Sequence, residues 1–387
     1  MFLDKLCENN PQLFDSSLKL FNEGKILPDT YVIDYDAIIE NGTNMQKEAD
    51  KYGIRLYFML KQIGRNPLIG LGLQKAGLAG CVAVDYKEAL LMAENGVKLG
   101  NVGHLVQIPK NALKMIVKNK PEIITVYSLD KVKEINELAS ELNIIQSIML
   151  RVNDNESHFY SGQIGGFDID ELDSTVREIE AMSNVYIGGL TVFPALLYDE
   201  KEMKVIPTSN MSAMNKARSI MDKMGYKNLM INIPSCTCTG TMSLIDSING
   251  NCGEPGHGLT GTTPLHKHTD QPERVGYLYL SEVSHNYGEN AYCYGGGYYR
   301  RGHLDNALVG YDLVKTKAYG VDDDSIDYHF QLKGNWKVGD PVIMCYRTQM
   351  FTTRSHIAVV KGVKTGNIEL MGLYNGLGEI EENNWGE

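Results

Sequence analysis

Apolar residues in this chain come in blocks of strand length, separated by stretches whose apolar positions recur every three or four residues. The blocks lie at 55–61, 80–84, 100–105, 122–127, 146–152, 186–193 and 228–233. Between two of them, Val132, Ile135, Leu138 and Leu142 share one helical face, and Met211, Met214, Ala217, Ile220 and Met224 share another. Continuously apolar strands that alternate with amphipathic helices predict a parallel sheet with helices outside it. The segment 250–259 supplies an eighth strand, and that count predicts a closed (β/α)8 barrel of TIM type. The methionines of the second helical face read as core packing.

The pattern changes on either side of this region. The first 30 residues read as a helical arm that ends at Pro28, and a short strand follows at 31–35 before a helix at 38–52. After Pro264 the helical periods fade, and strands are expected at 277–283, 308–314, 341–346, 356–360 and 368–373. The expected organisation is a helical arm at 1–30, a barrel at 31–264 and a C-terminal β domain at 265–387.

Composition narrows the function classes. Of 387 residues 43% are hydrophobic, enough for a large core, and the net charge of −11 argues against a general nucleic-acid surface. The opening residues lack a basic stretch followed by an apolar core, so no signal peptide is expected, and no apolar run is long enough to span a bilayer. Seven cysteines, an odd and modest number, suit a reduced cytoplasm. Cys236, Cys238 and Cys252 lie close in sequence, but the Cys-x-Cys spacing lacks a second matching pair, so no metal site is expected there.

Lys61 ends the run Arg55-Leu56-Tyr57-Phe58-Met59-Leu60-Lys61. Barrels place their chemistry at the carboxyl ends of their strands. Desolvation at such a place favours the neutral, nucleophilic form of an amine. A lysine that snorkels from a strand end is the structural alternative. His104, Arg151, His158 and Tyr160 also fall where they could line the barrel mouth, and Arg151 could hold a carboxylate with two parallel hydrogen bonds.

Several stretches resemble the alanine-racemase-like, fold-type III enzymes that use pyridoxal 5'-phosphate. Tyr31-Val32-Ile33-Asp34-Tyr35-Asp36-Ala37 resembles their opening strand, which enters the β domain. Gly103-His104-Leu105-Val106-Gln107-Ile108-Pro109 and Gly256-His257-Gly258-Leu259-Thr260-Gly261-Thr262-Thr263-Pro264 resemble the YhfX-like group of amino-acid racemases. The resemblance implies that Lys61 forms the Schiff base with the cofactor. It implies phosphate contacts from Thr239-Gly240-Thr241 and from Gly256-His257-Gly258. It places Glu254 opposite the pyridine nitrogen, where a carboxylate keeps the ring protonated and strengthens it as an electron sink.

The chain departs from alanine racemase at informative places. Alanine racemases carry arginine at the Glu254 position, whereas related decarboxylases carry Glu-Pro-Gly, as here. Val192 stands in place of a ring-contacting histidine, and Gln163 lies where an arginine approaches the phenolic oxygen. Metal-dependent D-threonine aldolases place a His-x-Cys pair in the β domain; the stretch 339–353 has none, and Cys345-Tyr346-Arg347 only partly resembles a decarboxylase pattern. The resemblance therefore implies an amino-acid racemase or epimerase with two bases, Lys61 and a β-domain tyrosine. Tyr294 is selected from Tyr292, Tyr294, Tyr298 and Tyr299. His104, Arg151 and Tyr160 are the substrate candidates, and a homodimer with shared active sites is expected. Decarboxylation, aldol cleavage and non-catalytic cofactor binding remain as alternatives.

Overall fold

The computed structural model describes residues 2–382, which fall into two compact units. One comprises Thr43–Leu60 and Gly70–Gly256. The other takes the chain up to Gly42, the short segment Lys61–Ile69, and the chain from His257 onward.

The first unit is the barrel. Its parallel strands run in the spatial order Arg55–Leu56, Cys252–Gly253, Met230–Asn232, Val185–Thr191, Gln146–Asn153, Ile123–Val126, Leu99–Val102 and Cys81–Ala83. Phe58 bridges Cys81 in parallel, which brings the first strand's continuation against the second and closes the ring. The interior is filled by Tyr57, Met59, Val82, Ile123, Met149 and Cys252. Small residues make room for this filling. A Cβ on Gly100 would lie 2.3 Å from the Tyr57 ring, so a bulky ring there needs a glycine on the strand Leu99–Val102.

Two of the eight expected strands are much shorter than the apolar runs suggested. Only Arg55–Leu56 and Cys252–Gly253 keep regular ladders, although the extended backbone continues to hydrogen bond, with Met59 N–H donating to the Pro255 carbonyl at 2.9 Å. The helical face at 210–223 also shifts from the expected one. Met211, Ala213, Met214, Ala217 and Met221 are buried, and Ile220 and Met224 are only half-buried. A hairpin of Leu196–Asp199 and Lys204–Pro207 follows the strand Val185–Thr191 and had no signal in the apolar pattern.

The second unit holds a closed antiparallel β barrel. Its ring runs Tyr277–Tyr287, Asn290–Tyr294, His329–Lys333, Val314–Tyr319, Asn306–Val309, Pro341–Met344 and back to Tyr277–Tyr287. The strand Thr30–Asp34 adds to this sheet. It pairs antiparallel with Tyr277–Tyr287 and parallel with His356–Lys361, which in turn pairs with Glu369–Tyr374. The expected strand at 308–314 is instead a hairpin: Gly310 and Leu313 take left-handed φ values of 73° and 52° and turn the chain between two strands. Tyr31, Tyr277, Tyr279, Tyr346 and Phe330 are buried in the centre. The Tyr31 phenol lies 3.1 Å from that of Tyr346 and accepts from the Thr348 hydroxyl at 2.9 Å, so the buried hydroxyls satisfy each other. The N-terminal arm is two helices, Phe2–Asn9 and Gln12–Asn22, tied into the same unit by Asn10, whose amide donates to Asp34 and to the Val275 carbonyl. Among the described residues no helix is long and apolar enough to cross a membrane.

Candidate functional site

In the barrel unit, the carboxyl ends of the strands converge on one buried carboxylate. Glu254 follows the strand Cys252–Gly253 and is 5% exposed. Asn101, within the strand Leu99–Val102, donates its amide to Oε1 at 3.0 Å. Asn232, at the end of Met230–Asn232, donates to the same oxygen at 2.9 Å. Each asparagine is itself oriented. The Thr125 hydroxyl donates to Asn101 Oδ1 at 2.7 Å, and Asn232 Nδ2 lies 3.3 Å from Thr191 Oγ1. The Oδ1 atom of Asn232 is buried without a hydrogen-bond partner. Two amide donors on one oxygen favour the ionised form of a carboxyl group and offset part of the cost of its burial.

His104 approaches the other oxygen: its Nε2 lies 3.4 Å from Glu254 Oε2, and both side chains are almost wholly buried. Phe193 sets its edge against the His104 ring at 5.4 Å, and Tyr160 packs against Phe193 at 5.9 Å. His158 lies 5.9 Å beyond Tyr160 and is exposed. An aromatic row thus leads from the buried carboxylate towards solvent.

Arg151, on the strand Gln146–Asn153, is 1% exposed. Its Nη1 donates to the Tyr127 hydroxyl at 2.6 Å and its Nη2 to the Gln163 carbonyl at 2.7 Å. The guanidinium sits over the rings of Tyr127, Phe159 and Phe193, at 4.7, 5.7 and 5.8 Å. Its Nε is buried without a hydrogen-bond partner, and it makes no ion pair among the described residues. A buried guanidinium costs several kcal/mol in desolvation, and contacts to aromatic faces return only part of that. Gln163, half-buried, meets Arg151 through its backbone carbonyl. Val192 is fully buried.

The turn after Met230–Asn232 is strained. Ser235 and Cys236 have φ of 85° and 53°, a conformation that costs non-glycine residues about 1–3 kcal/mol each and clusters at ligand clamps. The 3-10 turn Thr239–Thr241 follows, with Gly240 at its centre, and the Thr241 hydroxyl closes it by accepting from the Cys238 N–H at 3.0 Å. Thr237 joins this loop to the backbone of Glu254, since its hydroxyl accepts from the Glu254 N–H at 3.3 Å. Gly256 ends the unit. No disulfide joins any of the seven cysteines, and among the described residues no group of His, Cys, Asp and Glu is arranged to hold a metal ion.

The second unit contains Lys61, His257 and Tyr294. Lys61 opens the 3-10 turn Lys61–Ile63 directly after the barrel's first strand segment. The residues after it are unusually polar for a buried turn, with Gln62, Arg65 and Asn66 all nearly inaccessible. Arg65 has φ of 52°, and its guanidinium covers the Phe351 ring at 4.9 Å. His257 is buried, with Nδ1 3.4 Å from the Thr262 hydroxyl and Nε2 3.3 Å from the Gln349 amide nitrogen. Burial, and then the positive charges of Arg347, Lys61 and Arg301, hold its imidazole well below the usual histidine range, in the neutral form. Tyr294 is 41% exposed, and its ring lies 5.8 Å from that of His329. Tyr292 stacks on His285 at 4.9 Å. Tyr298 packs inward against Phe330 and Tyr346.

The structure thus brings Glu254, His104, Arg151, Tyr160 and Thr239–Thr241 together in one unit, and Lys61, His257 and Tyr294 belong to the other. The asparagines that hold Glu254 escaped sequence reasoning. Their signal was a lone amide inside each of two apolar strands, which reads equally well as a tolerated polar residue. Tyr127, Phe193 and the Ser235–Cys236 turn had no sequence signal.

Residues 33–264 match the alanine racemase N-terminal domain family, and residues 278–370 match the YhfX-like C-terminal domain. An uncharacterized protein, YhfX of Escherichia coli strain K12, is 43% identical over 382 residues, which cover 98% of this chain and 99% of that one. Among solved structures, alanine racemase of Clostridium difficile 630 in complex with cycloserine superposes with a TM-score of 0.66 at 17% identity, over 91% of this chain and 99% of that one. D-threonine aldolase from Filomicrobium marinum gives 0.67 at 13% identity, over 91% and 94%. D-threo-3-hydroxyaspartate dehydratase from Delftia sp. HT23 gives 0.67 at 14%, over 89% and 96%. These structural likenesses show the fold.

Proteins of this fold family use pyridoxal 5'-phosphate. The residues present fit that group unit by unit. A buried carboxyl group that accepts from two amides suits a protonated ring nitrogen, a strained turn followed by a glycine-centred one suits a phosphate, and an amine such as that of Lys61 suits the aldehyde. By the match over its barrel and its similarity along nearly its whole length to a YhfX protein, the chain belongs to the alanine racemase N-terminal domain family, with a YhfX-like C-terminal domain.

Proposed function

We propose that this protein is a pyridoxal-phosphate-dependent amino-acid racemase or epimerase. The observation that carries the reading is the buried Glu254 carboxyl group, one oxygen of which accepts from the amides of both Asn101 and Asn232. The bound cofactor would supply an electron sink that makes the Cα proton of an amino acid removable.

The chain's own residues take the remaining tasks. Lys61 would hold the cofactor through its amine and would move the Cα proton on one face. Tyr294 moves it on the other. Glu254 holds the proton at the ring nitrogen. The backbone amides of Thr239, Gly240, Thr241, Gly256 and His257 hold the phosphate. Arg151 takes the substrate carboxylate, for which its buried Nε without a hydrogen-bond partner provides a motive, and Tyr160 and His104 shape the surroundings. Tyr294 reaches the active site of a second copy of this chain, so that the working form is a homodimer. Seven cysteines without a disulfide support a reducing compartment, the cytoplasm.

The absence of a His-x-Cys pair from the stretch 339–353 favours proton transfer over aldol cleavage. The test is an amino-acid panel, offered as single enantiomers to purified holoenzyme and read by chiral chromatography. Accumulation of the antipode of at least one amino acid is expected. Release of carbon dioxide or an aldehyde instead, or cofactor binding with no turnover of any substrate, would replace the reading.

A further inference from the structure

The turn that carries His104 is built with more care than a loop at a strand end requires. Gly103 has φ of 92°, and a Cβ there would lie 2.5 Å from the Thr125 carbonyl oxygen, so only glycine fits. Gln107 donates its amide to the carbonyls of Gly103 and Thr125 at 2.8 and 2.9 Å, which clamps the turn to the neighbouring strand. The Tyr127 hydroxyl donates to the His104 carbonyl, and the same hydroxyl accepts from Arg151. Phe193 closes over the ring from the side. Gln107 and Tyr127 therefore fix the backbone around His104, and Phe193 meets its ring, which has no solvent exposure. What it faces is Glu254 Oε2, at 3.4 Å. That is ion-pair range and long for a hydrogen bond, a spacing that often tightens when a ligand is present.

We propose that His104 is a positioning residue that acts through Glu254 rather than on substrate. Its Nε2 holds Oε2 in place and shares the carboxylate's charge, as Asn101 and Asn232 do at Oε1. The carboxylate is thereby met at both oxygens, by the strands Leu99–Val102 and Met230–Asn232 and by the turn that follows the first of them. A buried His104 cannot reach a substrate without displacing this contact. The proposal rests on the reading of Glu254 given above.

The experiment compares His104→Leu, His104→Ala, His104→Gln and Glu254→Gln holoenzymes, together with the double variant His104→Leu/Glu254→Gln. Each is checked for fold by circular dichroism. The readouts are the pH dependence of the cofactor's absorption spectrum, cofactor affinity after reconstitution, and solvent-deuterium exchange at Cα resolved into kcat and KM. His104→Leu, or His104→Ala should the leucine variant not fold, is expected to shift the spectral pH profile and lower kcat roughly tenfold or more with KM little moved. His104→Gln, which keeps a donor, is expected to recover part of both. In the Glu254→Gln background the His104 substitution is expected to add nothing.

A folded His104 variant with an unchanged spectral profile overturns the proposal and leaves the reading of Glu254 standing. So does a change confined to KM, which would return His104 to the substrate, and so does full additivity in the double variant. If Glu254→Gln leaves both spectrum and exchange unchanged, the reading of Glu254 falls, and this proposal falls with it.

Discussion

Asn101 and Asn232, which belong to strands on different sides of the barrel, place their amide nitrogens 3.0 and 2.9 Å from the same oxygen of Glu254. The two donors are held in turn by Thr125 and Thr191. Glu254→Gln should retain cofactor yet slow Cα deprotonation by about one to two decades, since a charge-assisted hydrogen bond is worth roughly 1.5–3 kcal/mol. Asn232→Leu should lower stability by about 1–3 kcal/mol in urea denaturation, because it strips a donor from a buried charge. Wild-type exchange in the first variant would assign Glu254 another task.

Arg151 gives a prediction about substrate. It is a buried cation whose described partners are a hydroxyl, carbonyls and aromatic rings. Arg151→Gln should raise KM for the amino acid roughly tenfold to a hundredfold, and Arg151→Lys should recover little, because an ammonium lacks the planar fork. An unchanged KM in both would leave Arg151 as a structural residue.

His257 sets part of the acid limb of stability. Its folded-state pKa lies well below the ordinary 6.5. Below 6.5 the unfolded chain binds a proton at this position that the folded chain refuses, so stability falls as pH drops through that value and is unaffected above it. His257→Asn should flatten the stability profile between about pH 6.5 and 5, measured by urea denaturation, with little difference from wild type at pH 8. A profile that overlays the wild type at acid pH would contradict the neutral assignment.

The choice of Tyr294 is tested by complementation. Its ring is exposed beside His329, where a second copy could meet it. Lys61→Ala and Tyr294→Phe should each be inactive alone. Mixed under conditions of proven subunit exchange, they should regain activity, since one site of the mixed dimer keeps both groups. Absence of recovery would mean that another residue is the second base or that both bases come from one chain.

The barrel was legible because its strands are continuous apolar runs and its helices keep a 3.6-residue period. The Val185–Thr191 strand and the methionine face of helix Asn210–Lys223 show both signals plainly. The short strands Arg55–Leu56 and Cys252–Gly253 were over-read, because an apolar run reports burial and not ladder pairing. The hairpin between Asn306–Val309 and Val314–Tyr319 was missed, since Leu313 takes a left-handed φ that its side chain does not advertise. Of the candidate residues, Lys61 stood out as a charge that ends an apolar run, and Glu254 through the resemblance carried by its Glu-Pro-Gly setting. The residues that hold Glu254 did not: an asparagine buried for its amide and one buried by accident have the same sequence context.

The most direct measurement follows the Cα hydrogen itself. The purified holoenzyme, incubated in deuterium oxide with single enantiomers of its substrate, should place deuterium at Cα of the antipode, with the carbon skeleton intact, and Lys61→Ala should place none. Borohydride reduction of the wild type should fix the cofactor on Lys61 by peptide mapping. Loss of carboxylate or side chain in place of exchange, or a label on any other lysine, would contradict the assignment of this protein as a racemase that works through Lys61.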